Sequence, residues 1–502
     1  MNIKRILALA SAALMMIPAL AACNEETPDE PFLTDPSDIS DFAPDDTVPE
    51  ETGLVLGKTD FGGAVLRVIS VDESYNFGYY VTDDIWIEED SSDPFEASVY
   101  KRLQDCQEKY NFTVSFTTST GPMNDVASMV AGGLDQCDLA FAPWISTWDA
   151  SKTGNLIDMR EMPTVDLSNS WWDQNANEQL TVANRLFYTA GDLYTADDRC
   201  TRALYFNKDL AESKSLANPY ELVRSNQWTF DKFAEMCRSV YQDVDGGGTT
   251  DEDDIIGLFY EGGQLSYLMT AMGEHHVQLD ENGLPVYSYL STSEAVTKME
   301  TIAGLLADDK VTYNVADYKN FGTYTNAWTY ARSKFAAGKH LFSLGGALVI
   351  KEFADMEYSF GIVPMPKWNS EQTRYYHVID ASTPLMTVPN TKVDTTDLGY
   401  MLEYFSYEGQ QTVVPTYKEK MLKRRYAQDT DSADMLDIIY ANKCFDVYYV
   451  GRWANVIDIA NKNIAAGRIP TMSAYNRAAK AIPGLIQKDF DKLVLAGKAT
   501  TE

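Results

Sequence analysis

The residues most open to a chemical reading lie in an acidic run, Asp243-Val-Asp-Gly-Gly-Gly-Thr-Thr-Asp-Glu-Asp-Asp254. Calcium is a hard cation that gathers oxygen ligands around a sharply turning loop. Here Asp243, Asp245, Thr249, Asp251 and Asp254 stand at positions 1, 3, 7, 9 and 12 of the EF-hand spacing, and Gly248 occupies the turn at position 6. Two departures count against metal. Gly247 leaves position 5 without an oxygen, and the last ligand is Asp rather than the longer Glu. The simpler reading is a Gly-rich acidic connector in water, where like charges are tolerated cheaply. A structural calcium is one of two expectations for this loop, and no other cofactor is expected.

A second signal stands at the N-terminus. Lys4 and Arg5 precede an apolar run from Ile6 to Ala22, broken by Ser11 and Pro18, that closes as Leu20-Ala21-Ala22-Cys23. Positive charge, apolar stretch and small residues in that order describe an export signal, and the run is short for a membrane span. The closing residues look like a bacterial lipobox, so residues 1–22 are expected to be removed and Cys23 to carry the lipid, palmitate included. An ordinary signal peptide with an incidental Cys23 is the alternative. Residues 24–52 carry 11 acidic side chains, five prolines and no Lys or Arg. Such a stretch stays extended, and we read residues 23–59 as a tether. The body is expected outside the cytoplasm, held to the membrane by that lipid.

Catalytic spacing is absent: no G-x-S-x-G, H-E-x-x-H, Walker loop or dinucleotide fingerprint occurs. Adjacent His275 and His276 cannot share one helical face as metal ligands. Beyond Cys23 an odd number of cysteines remains (Cys106, Cys137, Cys200, Cys237 and Cys444) with no C-x-x-C, so one pair could form a disulfide and at least one thiol stays free. The formal charge of −33, from 41 basic and 74 acidic residues, repels phosphate backbones and excludes nucleic-acid binding. Catalysis thus finds little support, although 74 acidic residues leave a two-carboxylate glycosidase open by motif.

These features need elements to hold them. At 502 residues with 45% hydrophobic side chains, the chain suffices for two to four domains. Val65–Ser70 and Phe112–Phe116 have strand patterns, as does the run 138–143. Between them lie a helical stripe at 95–110 (Phe95, Val99, Leu103, Cys106, Tyr110) and a shorter helix near 123–131. Strand–helix–strand order implies crossovers and a largely parallel sheet. The grammar recurs with a helix at 230–242 capped by Thr229, a strand at 255–260, and helical stripes around 296–306 and 398–405. The expectation is α/β with at least two sheets.

Several segments resemble the extracellular solute-binding proteins of sugar-type ABC importers, the maltose-binding-protein-like family. Leu204-Tyr-Phe-Asn-Lys-Asp-Leu210 is similar to the family's Y-N-K-D-L segment, and Trp228-Thr-Phe-Asp-Lys-Phe233 to its T-W-D-E-F helix start. Phe335-Ala-Ala-Gly-Lys339 with Leu341-Phe-Ser-Leu-Gly-Gly346, and then Tyr358–Pro366, look like its later stretches. Their order spans most of residues 60–485, while the long segment 157–185 departs from the pattern. The resemblance implies a two-lobed periplasmic-binding-protein-like fold with a hinge and an interlobe ligand cleft. Lobe one would be 60–196 plus 372–408 and lobe two 200–368 plus 410–502, with crossings near 192–200, 366–374 and 406–412.

It also implies where ligand is met. Trp144 and Trp148 follow a strand in lobe one, Asp192, Tyr194, Arg199 and Arg202 flank the first crossing, and Asp380 and Ser382 end a later strand. Gly345 and Gly346 would permit close backbone approach, and Tyr475 lies in a late ligand-facing stretch. Each has a plainer reading: packing for the aromatics, hinge ion pairs for the arginines, a tight turn for the glycines. Trp171 and Trp172 are expected to pack the extra segment. The function implied is capture of a carbohydrate, an oligosaccharide, for delivery to the permease subunits of an ABC importer by a monomer. The alternatives are a mainly helical surface glycan-binding lipoprotein of the starch-uptake type, told apart by helix content, and a secreted glycosidase, told apart by sugar release.

Overall fold

The computed structural model describes residues 54–75, 79–260, 263–315, 326–353, 356–418 and 430–499. The export signal, Cys23 and the tether up to residue 53 lie outside the described residues.

Two separate mixed sheets organise the chain. In the first, β1 (Ala64–Val71) pairs in parallel with β2 (Phe112–Ser119) and with β3 (Leu139–Pro143), and β12 (Pro384–Thr387) joins β3 antiparallel. The second has β4 (Arg202–Asn207), β5 (Ile256–Tyr260), β8 (Thr312–Asn314), β9 (His340–Gly346) and β10 (Phe360–Val363), in the order β10-β4-β9-β5-β8. Here β5 runs parallel to β8 and β9, whereas β4 is antiparallel to β9 and β10. Two short ribbons complete the strands: β6 (Val277–Leu279) with β7 (Pro285–Tyr287), and β11 (His377–Val378) with β13 (Lys443–Cys444). The sheets are mixed rather than largely parallel. Strands such as β12 arrive from distant segments, not through a crossover helix, so nothing constrains their direction.

The chain therefore passes from the first sheet to the second between β3 and β4, and back between β10 and β12. A helix at Thr396–Gln411 then packs on the helix Pro94–Tyr110 of the first sheet, and a helix at Thr430–Ala441 packs on β10 of the second. Two mixed sheets do not fit a mainly helical glycan-binding protein.

Helices form where the periodicity expects them: Pro94–Tyr110, Pro122–Gly132, Phe230–Arg238, Ser293–Leu306 and Thr396–Gln411. Pro94–Tyr110 begins with Asp93 accepting from the backbone N–H groups of Phe95 and Glu96, and ends at Asn111 in the left-handed region. Thr229 stands at the start of Phe230–Arg238 but makes no side-chain capping bond. Cys106, Cys137, Cys200, Cys237 and Cys444 are all free and buried. No helix among the described residues is long and apolar enough to cross a membrane.

The extra segment is anchored by one acid. Glu403, on Thr396–Gln411 and almost fully buried, accepts from the Trp171 indole at 2.7 Å, the Trp172 indole at 3.0 Å, the Asn169 amide at 2.9 Å and the Asp166 backbone N–H at 2.8 Å. Upstream, residues 54–59 lie against the same helix. The Leu56 N–H donates to the Tyr404 hydroxyl at 2.8 Å, and Lys58 pairs with Asp397 at 2.7 Å. Residues 54–59, expected to belong to a tether, are thus docked on the body.

Replacing Glu403 by Ala would leave those donors without an acceptor in a place that water does not fill. The expected loss in a urea titration is about 3–5 kcal/mol, with a smaller loss for Glu403→Gln. A change below about 1 kcal/mol for Glu403→Ala would show that the segment is held in another way.

Candidate functional site

In open α/β sheets, loops and helix starts gather beyond the carboxyl ends of the strands. A cavity of about 260 Å³ lies there, lined by residues that follow strands of both sheets. Tyr79 and Tyr80 follow β1. Gly346, Leu348 and Val349 come from the end of β9 and the turn after it, and Tyr267 from the helix after β5. Asn326 and Trp328 open the helix Ala327–Ala336, and Arg332 stands one turn further on. Cys200 ends the short helix Ala196–Cys200, Arg202 begins β4, and Asp380 and Ser382 come from the turn after β11.

Charge here is paired inside the cavity wall. The Arg202 guanidinium is bonded to Asp380, with both side chains largely buried, and lies 5.2 Å from the Tyr267 ring and 5.4 Å from the Trp328 ring. Arg332 donates to Glu352 at 2.7 Å and lies 5.1 Å from the Tyr79 ring. Asp380 also accepts the Ser382 backbone N–H at 2.8 Å. Behind this pair, fully buried His377 on β11 donates Nδ1–H to the Arg202 carbonyl at 2.8 Å, and burial lowers its pKa to about 4. Flat aromatic faces beside planar polar groups are what a ring of C–H faces edged by hydroxyls requires.

Four of the expected residues meet at this cavity: Arg202, Gly346, Asp380 and Ser382. The others lie elsewhere. Trp144 and Trp148, expected to offer stacking faces, are fully buried against Phe445 and Trp453 respectively. Tyr194 is buried with its ring 4.9 Å from Phe141, and Tyr475 is buried 6.1 Å from Tyr289. Arg199 forms the plainer hinge pair, bonded to Asp83 and 3.5 Å from Asp84, beneath Phe95 and Tyr417. A Cβ on Gly346 would meet the Arg199 carbonyl at 2.7 Å, and one on Gly345 would meet Val349 at 2.8 Å. The close approach that these glycines allow is therefore of the chain to itself. Sequence reasoning did not single out Tyr79, Tyr80, Tyr267, Trp328 or Arg332. The Tyr79-Tyr80 pair soon after a strand was the available signal.

Beside the cavity, Lys443 on β13 is buried against three aspartates: Asp173 at 2.9 Å, Asp198 at 2.5 Å, and Asp197 closer still. Burial pulls the Lys443 pKa down, but the three carboxylates outweigh it and hold it well above the usual lysine range. Burial holds the Asp197 carboxyl above the usual carboxylate range, opposed by Lys443. Asp192 accepts from the Gln410 amide at 2.7 Å, and burial raises its pKa to about 6.

The acidic loop stands apart. Carboxylate oxygens of Asp243, Asp245 and Asp254 lie within 4.8 Å of one another and could hold a hard cation, whereas the Asp251 carboxylate is not in that group. The same carboxylates already accept from the loop's own backbone: Asp243 from Gly246 and Gly248, Asp245 from Gly247, and Asp254 from Val244. The Asp251 N–H on Asp254 and the paired backbone bonds of Gln242 and Ile255 also close the loop.

The fold, with its two mixed sheets joined by repeated passages, is that of periplasmic binding proteins. It is similar to the GacH receptor of Streptomyces glaucescens, at 13% identity over 85% of this chain and 99% of that one, with a TM-score of 0.52. It is similar also to the cyclic alpha-maltosyl-1,6-maltose binding protein of Arthrobacter globiformis (12%, 85% and 100%, TM-score 0.56) and to the sugar-binding protein MalE of Xanthomonas citri (13%, 86% and 98%, TM-score 0.54). No protein-family model and no curated protein sequence matches the chain.

Asp192 gives a pH test with a definite sign. Its folded pKa lies above its unfolded one, so its contribution is present below about pH 4 and is lost as pH rises through about 6. Asp192→Asn, which keeps an acceptor for Gln410, should be nearly neutral at pH 4 and stabilising by about 1–2 kcal/mol at pH 7. Thermal unfolding at the two pH values reads the difference; an equal effect at both would mean that Asp192 titrates normally.

Proposed function

We propose that this protein captures a carbohydrate, an oligosaccharide, in the cavity between its two sheets and delivers it to the permease subunits of an ABC importer. It acts as a monomer outside the cytoplasm, held to the membrane by lipid on Cys23. Lobe one is 60–196 plus 372–408 and lobe two 200–368 plus 410–502. They close about crossings near 192–200, 366–374 and 406–412, with ligand stabilising the closed form through contacts on both sides. The observation that carries this reading is the composition of the cavity wall. Aromatic rings Tyr79, Tyr80, Tyr267 and Trp328 surround Arg202, Asp380, Ser382 and Asn326, and segments attached to both sheets supply them. The similar folds add support, since the GacH receptor was crystallised with acarbose and the Arthrobacter protein is a maltosyl-maltose binder. The reading assigns no reaction, because the cavity's charged groups are tied to one another rather than poised against a bond.

A panel of oligosaccharides read by thermal shift tests it. A ligand at about 100 times its dissociation constant should stabilise the protein by ~2.7 kcal/mol. Trp328→Ala should weaken that ligand's binding by about 1–3 kcal/mol while leaving the melting temperature of the free protein close to the parent's. Trp144→Ala, by contrast, should act mainly on stability, by about 3–5 kcal/mol. Unchanged affinity in Trp328→Ala, or no shift with any sugar, would remove the cavity from consideration.

A further inference from the structure

We infer that the Arg202–Asp380 pair is the specificity determinant of this cavity, making it select neutral glycans and reject uronic acids; this rests on the carbohydrate reading above. Arginine in a sugar site normally suggests an anionic ligand, because its planar fork fits a carboxylate. Here one arm of the fork is engaged. Arg202 is bonded to Asp380 through Nη2, its buried Nε has no partner among the described residues, and the guanidinium lies near the Tyr267 and Trp328 rings. The second cation, Arg332, is held by Glu352 and lies beside Tyr79. Each cation of the wall thus has a carboxylate partner, Asp380 within the lining and Glu352 behind it, so neither stands as a net charge.

The hydrogen-bond inventory points the same way. Asp380 accepts from Arg202 through Oδ2 and from the Ser382 N–H through Oδ1. An ionised carboxylate has about four acceptor sites, so it still has room for donors. A sugar hydroxyl is a donor and can join this arrangement without breaking the ion pair. A uronate carboxylate is an acceptor only. Accepting from the open Arg202 Nε, it would still lie beside Asp380 as a like charge in a largely buried site, and displacing Asp380 would leave that carboxylate buried without its cation.

The test uses the full-length mature chain and titration calorimetry. The probes are neutral glucose, mannose and xylose hexasaccharides and a galacturonic acid hexasaccharide. The parent should bind at least one neutral probe about 100-fold or more tightly than the uronide. Asp380→Asn, which frees the Arg202 charge and keeps the shape, should narrow that ratio about tenfold or more by gaining uronide affinity. Arg202→Gln should lose neutral-sugar affinity and gain none for the uronide. Equal binding of neutral and acidic probes by the parent overturns this inference alone, whether or not the variants fold. So does an unchanged ratio in a folded Asp380→Asn protein. Binding of none of the probes overturns the carbohydrate reading together with it.

Discussion

Everything about the cavity depends on how one buried lysine is satisfied. Lys443 sits in the interior with its ammonium against Asp173, Asp197 and Asp198. A buried ion cluster adds little net stability, because the desolvation of each charge offsets the attraction. Its consequence is positional. The three aspartates come from the extra segment and from the passage that leads into β4, so the ammonium fixes both to β13. Paired with β13 is β11, whose His377 accepts no charge and donates to the Arg202 carbonyl, and whose next turn carries Asp380. Lys443 thereby ties the passage before β4 to the strand pair beside Asp380, and the Thr201–Ile379 bridge joins the two segments next to the Arg202–Asp380 bond.

This linkage explains why the cavity can be polar and yet specific. Its arginines are each held by a carboxylate and flanked by rings, which fixes where donors and apolar faces lie before anything binds. Preorganised groups of this kind lower the ordering loss on binding. The hinge arginine Arg199 behaves alike: its pairing with Asp83 and Asp84 beneath Phe95 and Tyr417 ties the passage before β4 to the loop that carries Tyr79 and Tyr80.

The legible part of the fold was local. Alternating Phe112, Val114 and Phe116 and the stripe through Val99 and Cys106 follow from the backbone's own periods, and the structure has β2 and the Pro94–Tyr110 helix there. Mixed strand direction was not legible, because it is decided by distant segments such as Pro384–Thr387 meeting β3. In the cavity, Arg202 stood out because it flanks a passage between the sheets, Asp380 and Ser382 because they end a strand, and Gly346 because it allows close backbone approach. Trp144 and Trp148 misled for a physical reason: a large aromatic after a strand is as suited to a core as to a pocket, and only burial separates the two. Tyr79, Tyr80 and Trp328 sit in loops and a helix start whose direction no periodicity encodes. Lys443 gave no signal either, since its three partners are far apart in the chain.

The most direct test is a crystal structure of the protein with a neutral oligosaccharide chosen from the binding panel. The account predicts a pyranose ring against Trp328 or Tyr267, a sugar hydroxyl on Asp380, and the Arg202–Asp380 bond intact. Sugar density at any other place, with this cavity left to water, would contradict it.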